Sequence, residues 1–119
     1  MGNVEEYNQM LADIRQDYLN KLKTISDRMK MLYQDPSLCF NDSQAFSEIY
    51  IIAHNLHGSA DTFGFKPVSE AAAPLDFLLE DIRQCSKGRV IGEESLLSLR
   101  SMIAELIVSV NDSLIEADG

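Results

Sequence analysis

"VEEYNQMLADIRQDYLNKLKTISDRMKML", residues 4–32, carries apolar side chains at Val4, Tyr7, Leu11, Ile14, Tyr18, Leu22, Ile25, Met29 and Leu32. The steps between them are three or four throughout. At 3.6 residues per turn these positions share one face of a helix of about eight turns. The period-two alternation that a strand needs is scarce here and in the rest of the chain. The heptad-like spacing also suits a coiled coil, but the other amphipathic stretches of the chain need a partner too.

Outward from this helix the pattern repeats. "YQDPSLCFNDS", residues 33–43, reads as a connection, with Pro36 as a breaker and Asn41, Asp42 or Ser43 available to cap the next helix. Phe46, Ile49, Ile52, Ala53, Leu56, Ala60 and Phe63 make a second stripe, closed by Gly64. A third helix is expected from about Lys66 and Pro67, where proline is tolerated in the first turn, with Leu75, Leu78, Leu79 and Ile82 apolar. Pro74 inside it is expected to bend or split the helix. After a break at "SKGRVIGEES", residues 86–95, a last helix carries Leu96, Leu99, Ile103, Leu106, Val110 and Leu114 and is expected to fray into "EADG". Four amphipathic helices with short connections bury their stripes most economically in one all-α, antiparallel four-helix bundle. Residues 1–119 are read as a single domain, and a bundle that closes on itself is expected to be a monomer.

Composition narrows the function. The chain has 119 residues, 45% hydrophobic and 24% charged, with 10 Lys and Arg against 19 Asp and Glu, a formal net charge of −9. That balance argues against nucleic acid, whose phosphates need a basic face. No apolar run approaches the roughly 18 residues of a membrane span. The opening "MGNVEEYNQM" is too acidic and polar for a secretory signal, so a cytoplasmic protein is expected. Cys39 and Cys85 lack CxxC spacing and read as reduced thiols. The methionines, among them Met10, Met29 and Met31, read as core filler, and "EEYNQ" and "EDIRQ" as solvated faces without a role.

Both histidines lie in "AHNLHGSADTFGF", residues 53–65. At about 100° per residue, His54 falls about 150° from the middle of the second stripe and should face solvent, while His57 falls on the flank at about 90°. Gly58, one turn beyond His54, shares its face. A glycine within a helix costs about 1 kcal/mol relative to alanine, which suggests that something approaches closely there. Ser59 is expected to bond back into its own helix, and Phe63 and Phe65 to pack in the core and turn. Asp61 lies within about 60° of both histidines. His54, His57 and Asp61 could meet a metal, but the spacing stretches a single helix, no fourth ligand is apparent, and no metal is expected.

Ala53, His54, Leu56, Gly58, Ser59 and Ala60, with Gly64 further on, resemble the signature of histidine-containing phosphotransfer (HPt) domains, which reads Ala-His-x-Leu-Lys-Gly-Ser-Ala. The downstream "VSEAAAPLDFLLEDI" resembles that family's next helix. The resemblance covers about residues 46–82. It implies a helical bundle that carries a phosphoryl group on His54 between receiver-domain aspartates of a multistep phosphorelay. It further implies His57 and Gly58 around the phosphoryl group, and Asn55 and Asp61 among the residues that dock the receiver. The partners implied are response-regulator receiver domains and a hybrid histidine kinase. No cofactor is expected on this chain, since the receiver would bring Mg²⁺ and most of the catalytic groups, and no acidic pocket is expected. One departure is that His57 stands where the family usually has Lys. With imidazole near a reference pKa of about 6.5, the lifetime of the phosphoryl group is expected to vary between about pH 6 and 8. The chain has no Gly-rich ATP loop. It reads as a carrier rather than a turnover enzyme; the alternative is a helical adaptor that binds a receiver or kinase without carrying phosphate.

Overall fold

The computed structural model describes residues 2–35, 43–85 and 93–118. They form four helices: α1 Gly2–Gln34, α2 Ser43–Ser59, α3 Lys66–Cys85 and α4 Glu93–Asp118. There is no strand among the described residues. The capping expected of Asn41 and Asp42, the break at 86–92 and Cys39 lie outside them, as do the side chains of Ser43 and Cys85.

The expected stripes form the core, except that Val4, Tyr7, Leu11 and Ile14 of the α1 stripe are exposed. Leu22, Met29 and Leu32 of α1 meet Ile49, Ala53 and Leu56 of α2, Val68, Ala72, Leu75 and Leu79 of α3, and Leu99, Ile103, Leu106 and Val110 of α4, all of them buried. α4 lies between α1 and α3, and α3 lies against α2. The Arg28–Glu48 ion pair at 2.7 Å ties α1 to α2, and Ser26 donates to Asn111 at 2.9 Å between α1 and α4. Of the methionines read as filler, Met29 is fully buried, but Met10 and Met31 are exposed.

One expectation, of the two held for Pro74, is narrowed, and one about a helix end needs correction. Pro74 does not split α3, which is continuous from Lys66 to Cys85; proline removes one donor and leaves the other backbone bonds of the helix in place. The last helix does not fray at Glu116 but continues to Asp118.

The connection between α2 and α3 sets the site's geometry. Phe65 N–H donates to Ala60 O at 2.8 Å and Gly64 N–H to Asp61 O at 3.0 Å. These are the two bonds of a Schellman cap. The motif needs a left-handed residue before its last donor, and Gly64 supplies it at φ +88°. Phe65 O then accepts from Val68 and Ser69 and starts α3. Tyr18 of α1 stacks on Phe63 (4.4 Å between centroids) and Phe65 (5.7 Å), closing this end of the core. α2 and α3 therefore form a tight antiparallel hairpin whose outer groove faces solvent.

Candidate functional site around His54

His54 stands on the exposed side of α2, with 64% of its side chain accessible. His57, one turn on, is half-buried on the flank, as its angle on the helix predicts. Across the hairpin, α3 places Asp76 opposite both rings. Its side chain is only 9% exposed, and its two carboxylate oxygens divide between the histidines. His57 Nδ1 lies 2.8 Å from Oδ2, and His54 Nδ1 lies 3.4 Å from Oδ1. The bond to His57 is the firmer, since a contact at 3.4 Å is near the limit of a useful hydrogen bond. Ser69 Oγ donates to His57 O at 2.8 Å and holds the start of α3 against the end of α2.

The carboxylate corrects an expectation. No acidic pocket is expected from the sequence, and Asp61 is the acid it sets near both histidines; in the structure the nearly buried Asp76 sits between the two imidazoles. A buried carboxylate is tolerated where donors satisfy it; here those donors are the Nδ1–H groups. Asp76, not Asp61, is thus the acid that reaches both rings. Asp61 is exposed in the turn, and its backbone oxygen accepts from Gly64. Among the described residues no group of three His, Cys, Asp or Glu side chains is arranged to hold a metal ion.

Other neighbours frame the rings. Tyr50, one turn before His54, lies parallel to its imidazole at 5.9 Å between centroids. The Tyr50 hydroxyl donates to Glu80 of α3, which also accepts from Arg83 at 3.2 Å and Gln84 at 3.0 Å. These donors, Tyr50 foremost, lower the Glu80 pKa from its ordinary 4.5 to about 2. The same bond raises the Tyr50 phenol, and Arg83 also lies over the Tyr50 ring at 5.2 Å. "EDIRQ" is therefore a connected wall beside the site rather than an idle solvated face. On the other side Phe77, 64% exposed, meets His57 edge-on at 5.3 Å, and Ile51 is exposed one turn before His54.

Gly58 is exposed, and a Cβ built on it would meet nothing within 4 Å. The folded chain alone does not require glycine there. Asn55 is exposed beside His54, and its carbonyl accepts from Ser59 Oγ at 2.6 Å, the back-bond expected of that serine. Ser59 Oγ also lies 3.1 Å from the Tyr18 hydroxyl.

The sequence profile of the Hpt domain matches residues 4–108. No curated protein and no solved structure matches the chain. Hpt domains take part in histidine phosphotransfer in phosphorelays, where they interact with receiver domains and kinases. No helix among the described residues is long and apolar enough to cross a membrane. A match over most of the chain, on an all-helical bundle that turns an imidazole outward, leads to one conclusion: this protein belongs to the Hpt domain family.

Proposed function

We propose that the chain accepts a phosphoryl group on His54 from a phospho-aspartate of a receiver domain, such as that of a hybrid histidine kinase, and passes it to a second receiver aspartate. The observation that carries this reading is an exposed imidazole whose Nδ1 faces a nearly buried carboxylate. With Nδ1–H turned to Asp76, Nε2 keeps its lone pair and lies on the open side of the ring. In-line attack by Nε2 on phosphorus forms the N–P bond as the aspartyl O–P bond breaks, and the aspartate departs with the electron pair. The ring keeps its Nδ1 proton and becomes cationic, and Asp76 offsets that charge.

The surroundings fit a docking partner. Gly58 leaves bare backbone one turn from His54, where a receiver loop can approach. Ile51 and Phe77 offer apolar contact on either side, with Asn55 and Asp61 adding polar groups; modest mixed surfaces suit transient signalling complexes. His57 occupies the place of the family's usual lysine; with Nδ1–H held by Asp76, its Nε2 donates to a phosphoryl oxygen when the ring is protonated. The chain itself needs no metal in this scheme, since Mg²⁺ would come with the receiver, and such work places the protein in the cytoplasm.

The test is incubation with a phosphorylated receiver. Acid-labile, alkali-stable phosphate should appear on the wild type and not on His54→Gln. Equal receiver binding by both, with neither labelled, would make the chain an adaptor.

A further inference from the structure

The first half of α1 takes no part in the site, and its apolar stripe is bare. Val4, Tyr7, Leu11 and Ile14 are between 41% and 65% exposed, whereas Leu22, Met29 and Leu32 on the same helix are fully buried. The boundary lies between Arg15, whose guanidinium sits over the Phe65 ring at 5.1 Å, and Tyr18. The α2–α3 turn ends there, with Phe63 and Phe65 stacked on the Tyr18 ring. α4 runs antiparallel to α1, with Arg100 over the Tyr33 ring and Asn111 bonded to Ser26. At that stagger its last residue, Asp118, comes level with Tyr18 and Leu19. About four turns of α1 overhang the bundle and stretch the molecule to 61 Å against 26 and 21 Å across.

The spacing in the overhang says what fits it. From Val4 through Tyr7, Leu11 and Ile14 to Tyr18 the steps are three, four, three, four, the strict repeat of a coiled-coil seam. A further step of four, from Tyr18 to Leu22, interrupts that repeat where the bundle begins. The seam spans about 80° of the helix, narrower than the face of about 100° or more that a helix turns to a globular core. It accommodates one helix, not a layer.

We infer that this overhang pairs antiparallel with the same segment of a second copy, setting Val4 against the partner's Ile14 and Tyr7 against the partner's Leu11. Charge favours that occupant. Glu5, Glu6 and Asp13 lie on the outer face, away from the seam, and its flanks carry Asn3, Asn8, Met10, Arg15 and Asp17. Antiparallel pairing brings Met10 against its own copy and Asn3 near the partner's Asp17, so no like charges meet. It also puts the two bundles, each from a chain of net charge −9, at opposite ends of the paired helices. A parallel pair would hold them side by side. Seam and flanks together would bury on the order of 1,000 Å² over both copies, the low end for a specific interface. Two-fold pairing covers both seams at once and closes the assembly. Such pairing would replace the monomer expected of a self-closing bundle, because the overhang lies outside the bundle.

Sedimentation velocity of the full chain over about 1 to 200 µM tests the pairing by mass action. The apparent mass should climb toward twice that of the monomer, while Leu11→Glu stays monomeric and, at dilutions where the wild type is also monomeric, shares its unfolding midpoint, since residue 11 lies outside the core. A wild type that stays monomeric throughout, or a Leu11→Glu variant that still doubles, overturns the inference. So does a monomeric wild type in which Leu11→Glu weakens capture of a phosphorylated receiver, which would give the seam to that partner. Small-angle scattering of the dimer should show a longest dimension well beyond 61 Å; a dimer no longer than one chain would be parallel and would overturn the antiparallel arrangement.

Discussion

Replacing Asp76 with Asn keeps the side chain's size and removes its charge at the point where transfer should need it. Before transfer the contact to His54 is long, 3.4 Å, and the firmer bond, 2.8 Å, belongs to His57. The carboxylate therefore matters little to the resting His54 ring and most once Nε2 bonds to phosphorus and the ring turns cationic. A hydrogen bond to a charged group contributes about 1.5–3 kcal/mol and a neutral one about 0.5–1.5. The difference, about 1 to 1.5 kcal/mol, corresponds to roughly tenfold in rate. Rapid-quench measurement of transfer from a phosphorylated receiver should show the Asn variant about tenfold slower at saturation, with receiver affinity within about twofold, since only the transition state loses the interaction. Asp76→Ala also strips the half-buried His57 of its partner, and it should lower unfolding stability by about 1–2 kcal/mol. An Asn variant that folds normally and transfers at the wild-type rate would refute the role given to this carboxylate.

Three further outcomes are expected. Gly58→Ala adds a methyl group that meets nothing within 4 Å, so urea denaturation should show a gain of up to about 1 kcal/mol from helix propensity, while transfer from the receiver slows; unchanged transfer would remove the reason offered for glycine. Gly64→Ala forces a side chain into φ +88° and should cost about 1–2 kcal/mol of stability by the same assay. Glu80 has a folded pKa of about 2 against an ordinary 4.5, so its contribution to stability is complete above about pH 4.5 and is lost as pH falls toward 2. Thermal midpoints of Glu80→Gln should accordingly fall less steeply than the wild type's across that window.

Much of this molecule is legible in its sequence because helical burial is periodic. The stripes from Tyr18 to Leu32 and from Ile49 to Ala60 name the core, and the angle between His54 and its stripe places the ring in solvent without any tertiary information. Gly64 is readable as a terminus because only a left-handed residue completes that cap. Asp76 is not readable in this way. On its own helix it lies on the flank beside Leu75, in line with Ala72 and Glu80, and nothing in a single helix says which flank will meet a neighbour. The same holds for Glu80 and Arg83, which look like ordinary surface charges until α2 brings Tyr50 against them. The bare seam of α1 is the converse case, since its residues match those of the buried half, and only the stagger of the other helices leaves it uncovered. Periodicity is local to one helix and can be taken from the chain directly, whereas the pairing of flanks and the lengths of overlap depend on how separate helices dock.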